Sequence, residues 1–139
     1  MFRDISTLDG RELPFEYLPA AAITPKYGMA LYRNSSGNLA VAAGANAAEY
    51  ICCLEADAAV AAGTVIPVVR IDADTVWESE TAGTLTVGTG YDIASGGLTV
   101  AATSTGAADF FVDSQEGAVV RGRFDKARAA AAKAAAGNG

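Results

Sequence analysis

No histidine occurs among the 139 residues. That removes the side chain most often used as a general base and as a transition-metal ligand, so neither a Ser-His-Asp nor a Cys-His mechanism can be assembled from this chain alone. Cysteine is nearly as scarce, and its two copies are adjacent, Cys52 and Cys53. Neighbouring thiols cannot staple distant segments, and a disulfide between them is strained. They fit synthesis in a reducing compartment. Activation as a thiolate needs a nearby cation, whereas the local charges are Glu49, Glu55 and Asp57. No run approaches about 20 apolar residues, so no membrane-spanning helix is expected. The opening MFRDISTLDGRELPFEYL is polar where a signal peptide is apolar, and use without secretion is expected. Large core anchors are few too. Much of the 51% apolar content is alanine, beside one Trp, five Phe and five Tyr. Such a core is thin, which favours a sheet protein stabilised in part by oligomerisation or docking.

Basic charge is sparse until the last segment. Residues 1–120 carry five basic and fifteen acidic side chains, whereas residues 121–139 set Arg121, Arg123, Lys126, Arg128 and Lys133 against Asp125 alone. An acidic body is a poor partner for nucleic acid, which needs a basic stripe.

What is present reads as strands and turns. In residues 1–25, Pro14, Pro19 and Pro25 each restrict the preceding residue to extended conformations, and an extended N-terminal arm is expected there. Residues 26–124 are expected to form a mainly β body, a small sandwich or barrel, because short β-forming runs recur with Gly-rich turns between them. GMALYR and NLAVAA flank the turn Asn34–Gly37. In AEYICCLEAD, Tyr50, Cys52 and Leu54 should share one face, with Ile51 and Cys53 on the other. GTLTVG, GYDIA, GLTVAA, ADFFVD and AVVRGRF complete a meander. The strongest strand is Thr64–Ile71, and its Pro67 predicts an edge strand or a residue turned away from the pairing, because proline cannot donate to a ladder. Residues 125–139 form an Ala-rich basic tail expected to be a short helix or disordered.

The candidate chemistry is thin. Asp72, Asp74, Glu78 and Glu80 offer oxygen ligands for a hard cation, but their spacing lacks the order of an EF-hand loop. In an extended chain they share a face opposite Thr75 and Trp77, as on a solvated sheet surface. Gly88, Gly90, Gly96 and Gly97 suggest a phosphate loop only superficially, since no helix or cation follows them. Tyr91, in this Gly-rich stretch, and Trp77 are the candidate platforms for stacking on a sugar. No metal ligand set, catalytic residue or cofactor is assigned.

Together the segments ITPKYGMAL, the Gly37–Gly44 hairpin return, EYICCLE, AGTVIPVVRIDADTVWES and GLTVAATSTGAADFFV…GAVVRGRF resemble the capsid cement, or head decoration, proteins of tailed bacteriophages and prophages. The likeness runs over about residues 10–124, and the tail lies beyond it. The resemblance implies a β-tulip-like fold and a non-enzymatic protein made in the host cytoplasm. It would bind the outer surface of the virion head, bridge major capsid protein subunits, and hold the shell against the pressure of packaged DNA. It also implies a homo-oligomer on the capsid, a trimer being favoured, with neither nucleic acid nor membrane as partner. On that reading Leu13, Pro14, Phe15, Tyr17, Leu18 and Pro19 form a capsid-binding arm that the folded body can lose, and Pro67, Trp77 and Tyr91 are candidate subunit contacts. The alternative is a phage-displayed adhesin that binds host glycan or protein through Trp77 or Tyr91.

Overall fold

A computed structural model describes residues 1–7 and 14–137. Along them run β1 (Arg3–Thr7), β2 (Phe15–Pro19), β3 (Ala30–Arg33), β4 (Leu39–Val41), β5 (Tyr50–Cys52), β6 (Val65–Arg70), β7 (Thr75–Glu80), β8 (Gly90–Tyr91), β9 (Phe110–Glu116), β10 (Val119–Phe124) and α1 (Lys126–Gly137). The strands form two antiparallel five-stranded sheets, ordered β1-β7-β10-β9-β8 and β2-β6-β5-β3-β4. The chain is thus mainly β, a small sandwich, as the recurring short runs indicate.

Local chemistry explains the turns. Asn34 accepts hydrogen bonds from the amides of Ser36 and Asn38, and Gly37 supplies the positive φ that closes the β3–β4 hairpin. Two runs expected as strands are not strands. In residues 84–87 the Gln115 side chain replaces a ladder partner, accepting from the Leu85 amide and donating to the Gly83 carbonyl. Val100 makes only isolated bridges, to Thr81 and Ile93. Gln115 reaches inward because the β9–β10 register shifts between Arg121 and Gly122. This bulge reverses which residues of β9 face the core. Phe110 and Val112 point in before it, and Gln115 opposes the buried Val120 beyond it.

The core between the sheets centres on Phe2, Trp77, Phe110 and Phe124. Phe2 and Phe110 each lie 5.1 Å from Phe124 between ring centroids, and Trp77 meets Phe124 edge-on at 6.3 Å. Tilted and edge-to-face pairs of this kind each add about 0.5–1.5 kcal/mol beyond burial. Gly122, opposite Trp77, leaves room for the cluster, because a Cβ there would meet the Phe111 carbonyl and the Phe110 ring.

The second sheet is apolar on both faces. Ile51 and Val69 join the core between the sheets, with Cys53 packed against it, whereas Tyr50, Cys52, Ile66 and Val68 form a second cluster with Leu31 and Leu39. The predicted division of the YICCL residues between two faces therefore holds. The sheet also curls, since Ala20 at the end of β2 bridges Leu39 of β4. Ile23, Leu54, Val60 and Leu98 pack against this second cluster.

Two expectations are corrected, and one open alternative is resolved. The described residues among 1–25 are largely extended but are not an arm separate from a body of residues 26–124. β1 lies beside β7 in one sheet, β2 lies beside β6 in the other, and Phe2 is buried in the aromatic cluster. The folded body cannot lose them without losing a strand from each sheet. Second, β6 is an interior strand rather than an edge, flanked by β2 and β5. It tolerates Pro67 because the ladder with β5 ends there. Cys53, just past β5, donates its amide to the Pro67 carbonyl at 2.9 Å, and no return bond is required. The tail, expected as a short helix or disordered, takes the helix over Lys126–Gly137 and docks it on its own body. Asp125 caps it by accepting the Arg128 amide, Ala129 is buried, and Arg128 lies 4.1 Å over the Phe111 ring while donating to the Gly88 carbonyl.

Candidate functional site

The acidic segment of Asp72, Asp74, Glu78 and Glu80 is the first candidate. Glu78 and Glu80 alternate with the buried Thr75, Trp77 and Ser79 on the solvent side of β7. Glu78 lies between two cations, at 2.8 Å from Arg3 of β1 and 3.0 Å from Arg121 of β10. The Arg121 hydrogen bond, then that of Arg3, holds the Glu78 carboxyl below the usual carboxylate range. Asp72 and Asp74 precede the strand instead of sharing its face, and Asp72 accepts from the Asp74 amide and the Thr75 hydroxyl. These are the contacts of a turn and of a wet sheet face with cross-strand ion pairs. Among the described residues no three carboxylates or thiols converge as a metal site requires. The thiols are equally quiet, since burial pushes Cys53 up to about 11 and raises Cys52 as well.

The aromatic candidates separate cleanly. Trp77 is 1% exposed at the centre of the core between the sheets, and its indole N–H meets no acceptor among the described residues. Tyr91 is buried as well, and its hydroxyl accepts the Thr86 amide at 2.8 Å. Neither ring presents a face to a sugar or to another subunit. The cause is plain in the register. Trp77 opposes Gly122, the position that leaves space for a large ring, and Tyr91 opposes Phe110 inside the first sheet. Sequence reasoning placed Trp77 on the packed face of its strand and still kept it as a contact candidate, and the packed face is the feature that decides.

The residues of β2 behave differently. Phe15 and Tyr17 are 63% and 69% exposed. Register sets Phe15, Tyr17 and Pro19 opposite Val69, Pro67 and Val65 on one face of the second sheet, whereas Leu18 packs against the second cluster on the other. Val65 is also largely exposed, and Pro19 and Pro67 are half-buried. This ladder is therefore a contiguous apolar surface beside Val69, which the core claims. Pro14 is exposed just before it, and Leu13 lies outside the described residues.

The main chain of the same residues is unpaired on its outer side. β2 ends its sheet, and among the described residues no strand pairs with its outer edge at Phe15–Tyr17. The Ala20 amide donates to the Thr64 carbonyl, and the Ala20 carbonyl accepts from Gly63. By alternation Glu16 and Leu18 bond toward β6, and the amides and carbonyls of Phe15 and Tyr17 face away. Farther on the edge is closed, because the Ala21 amide donates to Leu39 of β4. One short stretch thus offers exposed aromatic rings together with open hydrogen-bonding groups. Glu16 stiffens it from the opposite face through a two-point pair with Arg70, at 3.0 and 2.9 Å. Beside it lies a cleft of about 130 Å³ lined by Phe15, Tyr27, Cys53 and Trp77 among others.

Sequence reasoning selected Phe15, Tyr17, Leu18 and Pro19 correctly as members of an extended segment, but missed that Tyr27 and Val65 are exposed beside or near it. The signal for Val65 was available, since it precedes Pro67 by two residues and so shares its face.

No protein-family model, no curated protein and no solved structure matches this chain.

Proposed function

We propose that this chain is a non-enzymatic capsid decoration protein that docks on the outside of a tailed-phage head through the β2 edge. The observation that carries the reading is the coincidence, at Phe15 and Tyr17, of exposed aromatic rings and outward-facing main-chain groups on a strand that ends its sheet. Such an edge suits strand addition. The partner's main chain supplies hydrogen bonds, while alternate side chains settle on the Phe15–Tyr17–Pro67 face. An edge that carries aromatic side chains without charge on that face is an association hazard unless a partner covers it. The resemblance of the sequence segments to head decoration proteins supplies the partner, the major capsid protein. The acidic composition suits a surface in water.

On this reading the mechanism is mechanical and multivalent. A protein whose contacts span two adjacent capsid subunits binds the assembled lattice and not its dispersed parts, so it stabilises the assembly by mass action. Copies grouped around a lattice axis, a trimer being favoured, multiply the effect.

The test is co-sedimentation of the purified chain with expanded heads built from the major capsid protein of the same virion, followed by imaging of the decorated particles. The expected result is saturable binding at symmetry axes. Tyr17→Lys should weaken it at least tenfold, and Val87→Lys, exposed elsewhere on the molecule, should not. Full binding by Tyr17→Lys removes β2 from the interface, and absence of binding by the wild-type chain removes the capsid reading.

A further inference from the structure

The open stretch of β2 is complementary to itself. Phe15 and Tyr17 face outward, each with an amide and a carbonyl that no strand among the described residues engages. Pro19, the next outward-facing residue, has no amide to give. Just beyond it the edge closes, where the Ala21 amide donates to Leu39. The stretch is therefore short, and its donors and acceptors are symmetric about Glu16. A two-fold axis through Glu16 sets Phe15 of one copy opposite Tyr17 of the other, and the reverse. Each such pair can exchange both of its main-chain bonds, as opposed residues of an antiparallel ladder do. Pro19 falls outside these pairs, so its missing donor is not needed.

We propose that the free chain pairs with a second copy through β2, antiparallel about Glu16, and must separate before the same edge can dock on another strand. Only the docking step rests on the capsid reading.

The side chains agree with this pairing. Phe15 and Tyr17 are largely exposed on the face that also holds Val65 and Pro67. An incoming Tyr17 lies beside Phe15, and an incoming Phe15 beside Tyr17, so aromatic pairs form across the new ladder. No charged residue interrupts this face of the β2–β6 ladder, and covering it leaves no ion without water or a partner. The opposite face brings Glu16 to its own copy across the axis. Like charges so placed repel, but each carboxylate arrives gripped by Arg70 at 3.0 and 2.9 Å.

The other sheet margins are less suited to a second copy. β8 is two residues long, β4 is met by Ala20 and Ala21, and the Phe2 amide, just before β1, is given to Gly28. Symmetry also stops the association at two. Once each copy has used its one open stretch, a two-fold contact is closed and no edge remains for a third. A contact this short makes a weak, reversible dimer, which a longer docking strand can replace.

The test uses the purified full chain without capsid, so failure here and failure of head binding are separate results. Sedimentation between about 10 µM and about 1 mM should show a monomer–dimer equilibrium. Over that range the amides of Phe15 and Tyr17 should gain roughly tenfold protection from hydrogen exchange. The Glu16 amide, which faces β6, should not change. Tyr17→Lys should weaken the dimer roughly tenfold or more, and Val87→Lys, exposed elsewhere, should leave it unchanged. Glu16→Cys should form a disulfide-linked dimer on mild oxidation. Residues that oppose each other without a bond lie about 4.5 Å apart between Cα atoms, within disulfide reach. The wild-type chain, whose thiols are buried or half-buried, should not link. A chain that stays monomeric at about 1 mM overturns the proposal. So does a dimer that leaves the Phe15 and Tyr17 amides unprotected, or one in which Glu16→Cys fails to link.

Discussion

β1 and β2 come from one N-terminal stretch, yet they have opposite fates. β1 enters the sandwich beside Phe2, which is 1% exposed, and its Arg3 answers Glu78 on the neighbouring strand. β2 joins the other sheet and leaves Phe15 and Tyr17 open to solvent. Large aromatics therefore become a core plug just before one strand, at Phe2, and an exposed surface on the other, at Phe15 and Tyr17. The difference is the supply of a second layer. Phe2 packs against Phe110 and Phe124 in the core between the sheets, whereas the face that carries Tyr17 is left exposed beside Pro67. Folding consumes the first aromatic and leaves Phe15 and Tyr17 exposed.

Five substitutions break or sharpen that contrast, from the largest expected effect to the smallest. Phe2→Ala should cost about 3–5 kcal/mol in denaturant unfolding, the range for removing a buried ring from a core. A loss under about 1 kcal/mol would mean that β1 is dispensable. Gly122→Ala attacks the same core from the opposite strand. Its new Cβ meets the Phe111 carbonyl and the Phe110 ring, and overpacking of this kind costs about 1–3 kcal/mol. An unchanged midpoint would show that the cluster has slack.

Glu78→Gln and Glu16→Gln compare the ion pairs of the two strands. Both carboxyls sit below their ordinary value, Glu78 through Arg121 and Arg3, Glu16 through Arg70. Their stabilisation is therefore present above the unfolded value of 4.5 and is lost as pH falls through the folded one. Each substitution should flatten the acid limb of the stability curve by a small, salt-screened amount, with Glu78→Gln, which serves two partners, having the larger effect. The reverse order would place the firmer pairing at β2. Finally, Tyr17→Ser should change stability by less than about 1 kcal/mol. A loss as large as that of Phe2→Ala would erase the distinction between the strands.

Much of this was legible from residue order. Alternation assigned the two faces of the YICCL run and the wet side of Glu78 and Glu80, and turn chemistry at Asn34–Gly37 fixed the first hairpin. Nonlocal pairing was not legible. Proline punctuation marks residues 1–25 as extended, but nothing local says that β7 and β6 lack partners which this segment supplies. Pro67 argued for an edge or for a residue turned away from the pairing, because the rule concerns a missing donor, and only the end of β5 reveals that the donor is not needed there. The loss of strand in residues 84–87 depends on one glutamine thirty residues away. The β2 edge itself was half visible, since Phe15 and Tyr17 alternate with Glu16. That pattern gives faces and says nothing about which face lies uncovered.

The second sheet, buried on both sides at its central strand β5, has one more consequence. In a sheet with a single apolar face, a slip of one residue exposes every core side chain to water, and that cost fixes the alignment. A slip of β5 would only exchange Tyr50 and Cys52 with Ile51 and Cys53 between two apolar surroundings. Hydrophobicity alone therefore does not choose its alignment. The choice falls to groups that fit in one place, namely Arg70 over the Tyr50 ring at 5.5 Å while gripping Glu16, and Pro67, which fits only where no donor is wanted. A cationic side chain and a missing proton together act as the key that sets this sheet in frame.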